Sequence, residues 1–358
     1  MMKSVETDKS NLVNSQRIVY FDLLNILAII AVVAMHANGI VHNNPKIRAW
    51  NTSLIVDCIC YWAVPVFLML SGATLINYRK KYDTKTFFKK RFLKVLIPFI
   101  FWAIFMIIWK IYTKQIIYAQ ISNIKKFLNF VLTNKEEPTY YFMFEILGIY
   151  LTMPFLTLVA KEENKKTLWL TILLIFIFNS VLSNIFPLIG ITYNNSLTVQ
   201  VGGYIIFVLL GYLLSTQDLT KKQKIFLYIS AIVGIIFRYL ITFILSKQSG
   251  KVIKSTWGYD QWHSVLLACS VFVFVKGLRI NEKIKNNKKL LQILKNVSSC
   301  SFGIYLTHKI IMYYEIIIFK VNDSSWQWRT IGVLTTYLIS LTIVYTLKKI
   351  PILNKIVP

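Results

Sequence analysis

Ten times along its length the chain stays apolar for the roughly 20 residues that cross about 30 Å of hydrocarbon. The runs lie at about 20–42, 54–76, 93–113, 139–160, 167–187, 199–215, 225–245, 260–277, 298–319 and 329–349. No soluble core can hide so many, so the chain reads as an all-α, polytopic transmembrane bundle. A composition 56% hydrophobic and only 16% charged fits that class. The first run has no small-residue cleavage pattern after it and reads as an uncleaved helix. The expected organisation is a cytoplasmic tail at 1–19, which includes Lys3 and Lys9, one membrane domain at 20–349 and a second cytoplasmic tail at 350–358.

The 41 Lys and Arg against 15 Asp and Glu would suggest nucleic acid in a soluble protein. Here the basic residues sit in short connections that alternate between rich and poor, which is the positive-inside pattern. With ten spans it places both termini in the cytoplasm of a cell membrane. The expected partner is anionic lipid, not nucleic acid. Cys58, Cys60, Cys269 and Cys300 lack metal-ligand spacing, and no metal site is expected.

Polar residues inside the spans carry the functional information. In the first, YFDLLNILAIIAVVAMHANGIVHN, an advance of 100° per residue brings Asp22, Asn25 and His36 to one face. In the ninth, SSCSFGIYLTHKIIMYYEIII, Ser301, Tyr305, His308 and Glu315 share a face in the same way. A polar stripe within lipid is costly unless it faces a partner or a wet cavity. Two of the four histidines lie on such stripes, which favours chemistry over packing.

Elsewhere Glu145 in the fourth span and Arg238 in the seventh are deep and need partners, and the simplest expectation is that they polarise one shared interior. Ser71 and Gly72 are small enough for close helix approach. The connection from Arg79 to Lys94 is polybasic, and Arg91 and Lys94 just before Pro98 suit either lipid or a phosphorylated ligand. The stretch TWGYDQWHS reads first as an aromatic belt at the membrane interface, and second as a sugar-binding surface.

The chain resembles the acyltransferase 3 family of integral-membrane O-acyltransferases. The likeness runs through RIVYFDLLNILAIIAVVAMHA (Arg17 to Ala37), PVFLMLSG (Pro65 to Gly72), KKRFLKVLIPF (Lys89 to Phe99), EILGIYLTMP (Glu145 to Pro154) and SFGIYLTH (Ser301 to His308). It implies that His36 is the catalytic histidine of the first helix and that Arg91 belongs to the basic pair before the third span. Two positions depart from the family: Asn25 stands where an Arg is common, and Tyr141 where a Trp is frequent.

The activity so implied is transfer of an acyl group, acetyl from acetyl-CoA first among the donors, to a sugar hydroxyl of a lipid-linked or cell-surface polysaccharide. His36 would act as general base, or alternatively as acyl carrier, with Tyr305, His308 and Glu145 completing the catalytic set. Tyr305 and His308 would donate to the oxyanion or position the acceptor. Arg91, Lys94, Ser71 and Asn25 would bind the donor. The rival from another class is a proton-coupled transporter or flippase using His36, Glu145, Arg238 and His308.

Overall fold

The computed structural model describes residues 17–201 and 203–358; the expected tail residues 1–16, with Lys3 and Lys9, and Gly202 lie outside the described residues. Among the described residues there is no strand, and seven helices are long and apolar enough to cross a membrane. In lipid every backbone N–H and C=O must find its partner within the chain, which is why uninterrupted apolar runs become helices.

The elements that build the bundle are α1 (Val19–Ala37), α2 (Arg48–Cys60), α3 (Ala63–Leu75), α4 (Thr84–Arg91), α5 (Ile97–Tyr112), α6 (Tyr141–Val159), α7 (Lys165–Ile175), α8 (Ile205–Thr216), α9 (Lys221–Ser249), α10 (Trp262–Lys276), α11 (Lys288–Ser299), α12 (Ser301–Ile318) and α13 (Val333–Lys349). Each expected span contains a helix. Those at α8 and α10 are shorter apolar helices, α12 is not among the seven, and α2 and α3 together form one of the seven.

Local chemistry sets the boundaries that matter for function. Thr220 caps α9 through a reciprocal bond pair with Gln223, and Gly250, at φ +67°, ends it in the left-handed conformation that glycine adopts freely. Pro65 in the first turn of α3 cannot donate backward, and the chain breaks at Tyr61 and Trp62 instead of continuing α2. α1 also ends sooner than its apolar run, at Ala37, with a 3-10 turn from Gly39 to His42 following it. His36 is therefore in the last turn of a helix and not at its middle.

α1 packs against α3, α11 and α12 near the centre of the bundle, and α3 lies along α8. The α3–α8 contact is backbone on backbone: a Cβ at Gly72 would overlap the Val208 carbonyl, and one at Gly211 would overlap the Met69 carbonyl. Each glycine thus makes room for the other helix, the small-residue packing expected at Gly72. Gly72→Leu is expected to cost at least about 1–3 kcal/mol, the usual range for overpacking, read as a lower unfolding temperature in detergent. The stretch after Lys349 also packs into the bundle: the Trp102 indole donates to the Ile356 carbonyl at 2.9 Å, and Val357 is fully buried beside Gly303.

Candidate active site

α1 and α12 bring the two histidine stripes face to face. His36 Nδ1 lies 2.6 Å from His308 Nε2, and the rings stack with centroids 4.9 Å apart and planes 13° from parallel. The hydrogen bonds around the pair assign its protons. His308 Nδ1 lies 3.0 Å from the Ile304 carbonyl and 2.8 Å from the Tyr305 carbonyl. Carbonyls only accept, so Nδ1 carries the hydrogen, and in a neutral ring Nε2 presents a lone pair. That lone pair accepts from His36 Nδ1, so His36 carries its hydrogen there as well. What remains is His36 Nε2, with its lone pair free.

The pair is held from behind. His308 is fully buried, while His36 is half-buried and borders two cavities. The Tyr305 hydroxyl donates to the Thr139 carbonyl at 2.5 Å, and the Tyr140 hydroxyl donates to the Leu306 carbonyl at 2.8 Å. These crossed bonds pin the start of α6 to the turn of α12 that carries His308. In this geometry the hydrogens of Tyr305 Oη and His308 Nδ1 are directed to carbonyls, and His308 Nε2 faces His36 Nδ1.

Two cavities are lined by His36, and another adjoins one of them. The adjoining one, of about 640 Å³, is lined by Asn25, Ser71, Arg91 and Lys94 together with Arg17 and Lys348. Pro98 lacks the N–H that would bond to the Lys94 carbonyl, and a wide π-helical turn at Phe92–Leu96 follows Arg91 in the chain. Arg91 has a buried Nε with no hydrogen-bond partner, and its guanidinium sits 5.5 Å from the Tyr150 ring. An unused buried donor beside further cations is what a phosphorylated ligand would satisfy. Asn25 is otherwise occupied: its amide donates to the Ser298 carbonyl at 2.9 Å and to Ser298 Oγ at 3.0 Å, tying α1 to α11. Ser71 Oγ donates to the Phe67 carbonyl one turn back at 3.1 Å.

A second cavity, of about 310 Å³, holds His36 among rings, with His42, Tyr61, Tyr141, Trp257, Tyr259 and Tyr305 in its wall. Phe67 and Phe142 line both this cavity and the Arg91 cavity, with ring centroids 6.0 Å apart, so the aromatic pair stands at their junction. The third, of about 380 Å³, reaches His36 from another side past Trp109, Lys110, Glu137, Lys309 and Trp328.

Three expectations change. Arg238 does not share an interior with Glu145: its Nη2 lies 2.5 Å from Asp57, and Nη1 and Nε donate to the Asp57 and Thr256 carbonyls at 3.1 Å. Asp57 satisfies the guanidinium because α2 packs on α9, a contact that sequence order does not announce. Glu145 is half-buried and lines none of the three cavities. The stretch TWGYDQWHS does not lie as a belt throughout, since Arg238 draws it inward. The guanidinium covers the Tyr61 ring at 3.5 Å, Tyr61 stacks on Tyr259 at 4.2 Å, and the Tyr61 hydroxyl donates to the Trp257 carbonyl.

Reading the sequence alone missed Asp57, Glu136, Glu137 and Lys309. Glu137 lies 3.7 Å from Lys110. Glu136, in the connection before α6, is fully buried with neither carboxylate oxygen hydrogen-bonded, and burial pushes its pKa up from 4.5 to about 7 against the pull of Lys110. A raised carboxyl pKa means that the fold prefers the protonated form. Stability from this group is full below pH 4.5, declines as pH rises toward about 7 and is flat above. Glu136→Gln is expected to abolish that decline and raise stability above pH 7, measured by thermal unfolding across pH 4–8.

A helical membrane bundle that sets one imidazole of a pair between two cavities, with a basic cavity adjoining one of them, has the layout of an integral-membrane enzyme. The family model for the acyltransferase domain, acyltransferase 3, matches residues 18–345, nearly the whole chain, and the chain belongs to that family. It is accordingly a membrane acyltransferase. Comparison with curated proteins and with solved structures returns no match.

Proposed function

We propose that the protein transfers an acyl group, acetyl in the first instance, from acyl-CoA to a sugar hydroxyl of a lipid-linked or cell-surface polysaccharide, with His36 Nε2 as general base. The observation that supports this reading is an imidazole that lines two cavities, one of which adjoins a basic cavity across Phe67 and Phe142, and whose proton is assigned to Nδ1.

In the proposed reaction, Arg91 and Lys94 grip the donor's phosphates at the cytoplasmic side, and the pantetheine arm extends past Phe67 and Phe142 toward His36. The acceptor arrives from the opposite face. As its hydroxyl oxygen attacks the thioester carbonyl, Nε2 takes the hydroxyl proton; collapse of the tetrahedral intermediate breaks the C–S bond and expels CoA thiolate, which takes that proton from Nε2 and leaves as the thiol. In the imidazolium, Nδ1 still donates across the 2.6 Å contact to His308 Nε2. No acyl-enzyme is needed, because donor and acceptor can meet at one atom.

The test is purified protein in liposomes supplied with labelled acetyl-CoA and glycan acceptors. Acceptor-dependent thioester loss with label on the glycan supports the proposal. Solute movement without donor consumption supports the transport reading instead.

A further inference from the structure

Lys309 follows His308 directly on α12, within the ninth apolar run of the sequence, where an ammonium requires a partner or water. It is half-buried, and among the described residues no carboxylate lies within 4.0 Å of its Nζ. It borders the cavity that reaches His36. The other charged groups in that wall are Lys110, Glu137 and Asp323. Lys110 and Glu137 face each other, and Asp323 is exposed at the rim, where it accepts from Ser324 Oγ. One uncompensated cation therefore remains beside the reacting imidazole.

The rest of the wall suits a sugar ring. Trp109 and Tyr313 meet edge to face at 4.9 Å, Trp328 lies against the same space, and Asn43 and Gln115 offer amides to hydroxyls. We infer that this cavity is the acceptor site and that Lys309 selects an acceptor carrying a negative charge, a carboxylate or a phosphate, close to the hydroxyl that is acylated. The inference rests on the acyl-transfer reading for its kinetics but not for its binding measurement. A fixed ammonium in a partly dehydrated cavity discriminates between charged and neutral ligands because losing the anion leaves it buried and unpaired.

The experiment compares methyl β-D-glucuronide, methyl β-D-glucoside 6-phosphate and neutral methyl β-D-glucoside, both as ligands in calorimetric titration and as acceptors with acetyl-CoA. Wild-type protein should bind at least one anionic probe about tenfold or more tightly than the neutral one, and the two anionic arms show which group is preferred. Lys309→Gln should erase that preference, raising KM for the charged acceptor to that of the neutral one. Lys309→Arg should retain it. The inference is overturned if neither anion outbinds the neutral glucoside, or if Lys309→Gln lowers kcat on charged and neutral acceptors alike, which would make the ammonium a stabiliser of the transition state. A preference that persists in binding without any acetyl transfer would leave the anion site standing and remove the acyl-transfer reading.

Discussion

Replacement of His36 by alanine is expected to lower acyl transfer by about 10²–10⁴-fold, the span attributable to a positioned general base, with donor binding preserved. The separation follows from geometry. His36 borders the two cavities away from Arg91, and the cavity proposed for CoA phosphates has none of its lining from His36. Calorimetric titration with CoA alongside the transfer assay checks both halves. His308→Ala should also lose most of its activity, because His36 then lacks the acceptor that fixes its hydrogen on Nδ1, and the ring can present an N–H in place of the lone pair. Since the two imidazoles act as one unit, the double variant should be little worse than His36→Ala alone.

The largest expected effect on stability belongs to Asp57. Asp57 and Arg238 are 5% and 1% exposed, so Asp57→Ala would leave a buried cation held only by carbonyls. Breaking such a pair typically costs about 3–5 kcal/mol, whereas replacing both partners by apolar residues is often neutral or stabilising. Asp57→Ala should therefore unfold well below the wild-type temperature in detergent, and Asp57→Leu with Arg238→Met should recover most of the loss. Activity should not recover with it. The guanidinium over Tyr61 and its bond to the Thr256 carbonyl shape the aromatic wall opposite His36, and a methionine supplies neither.

The helices were legible in the sequence because hydrocarbon thickness fixes their length and leaves few alternatives. The single-face alignment of Asp22, Asn25 and His36 was legible for the same geometric reason, as was that of Tyr305 and His308. The meeting of the two stripes was not, since nothing local states which face of α12 turns to α1. Partner choice failed at Arg238: Asp57 lies 181 positions away and is drawn to it by packing of α2 on α9. Lys309 escaped notice because it lies about 100° round the helix from the histidine stripe. A lysine within a span was the available signal. Arg91, Lys94, Ser71 and Asn25, which the sequence reading expected to bind the donor, all line one cavity.

The central claim is direct transfer between two ligands that meet at His36. It is tested most directly by mixing the protein with labelled acetyl-CoA in the absence of any acceptor and quenching within one turnover. Direct transfer predicts no burst of free CoA and no label on the protein. A burst stoichiometric with protein, with the acetyl group recovered on the peptide containing His36, would contradict it.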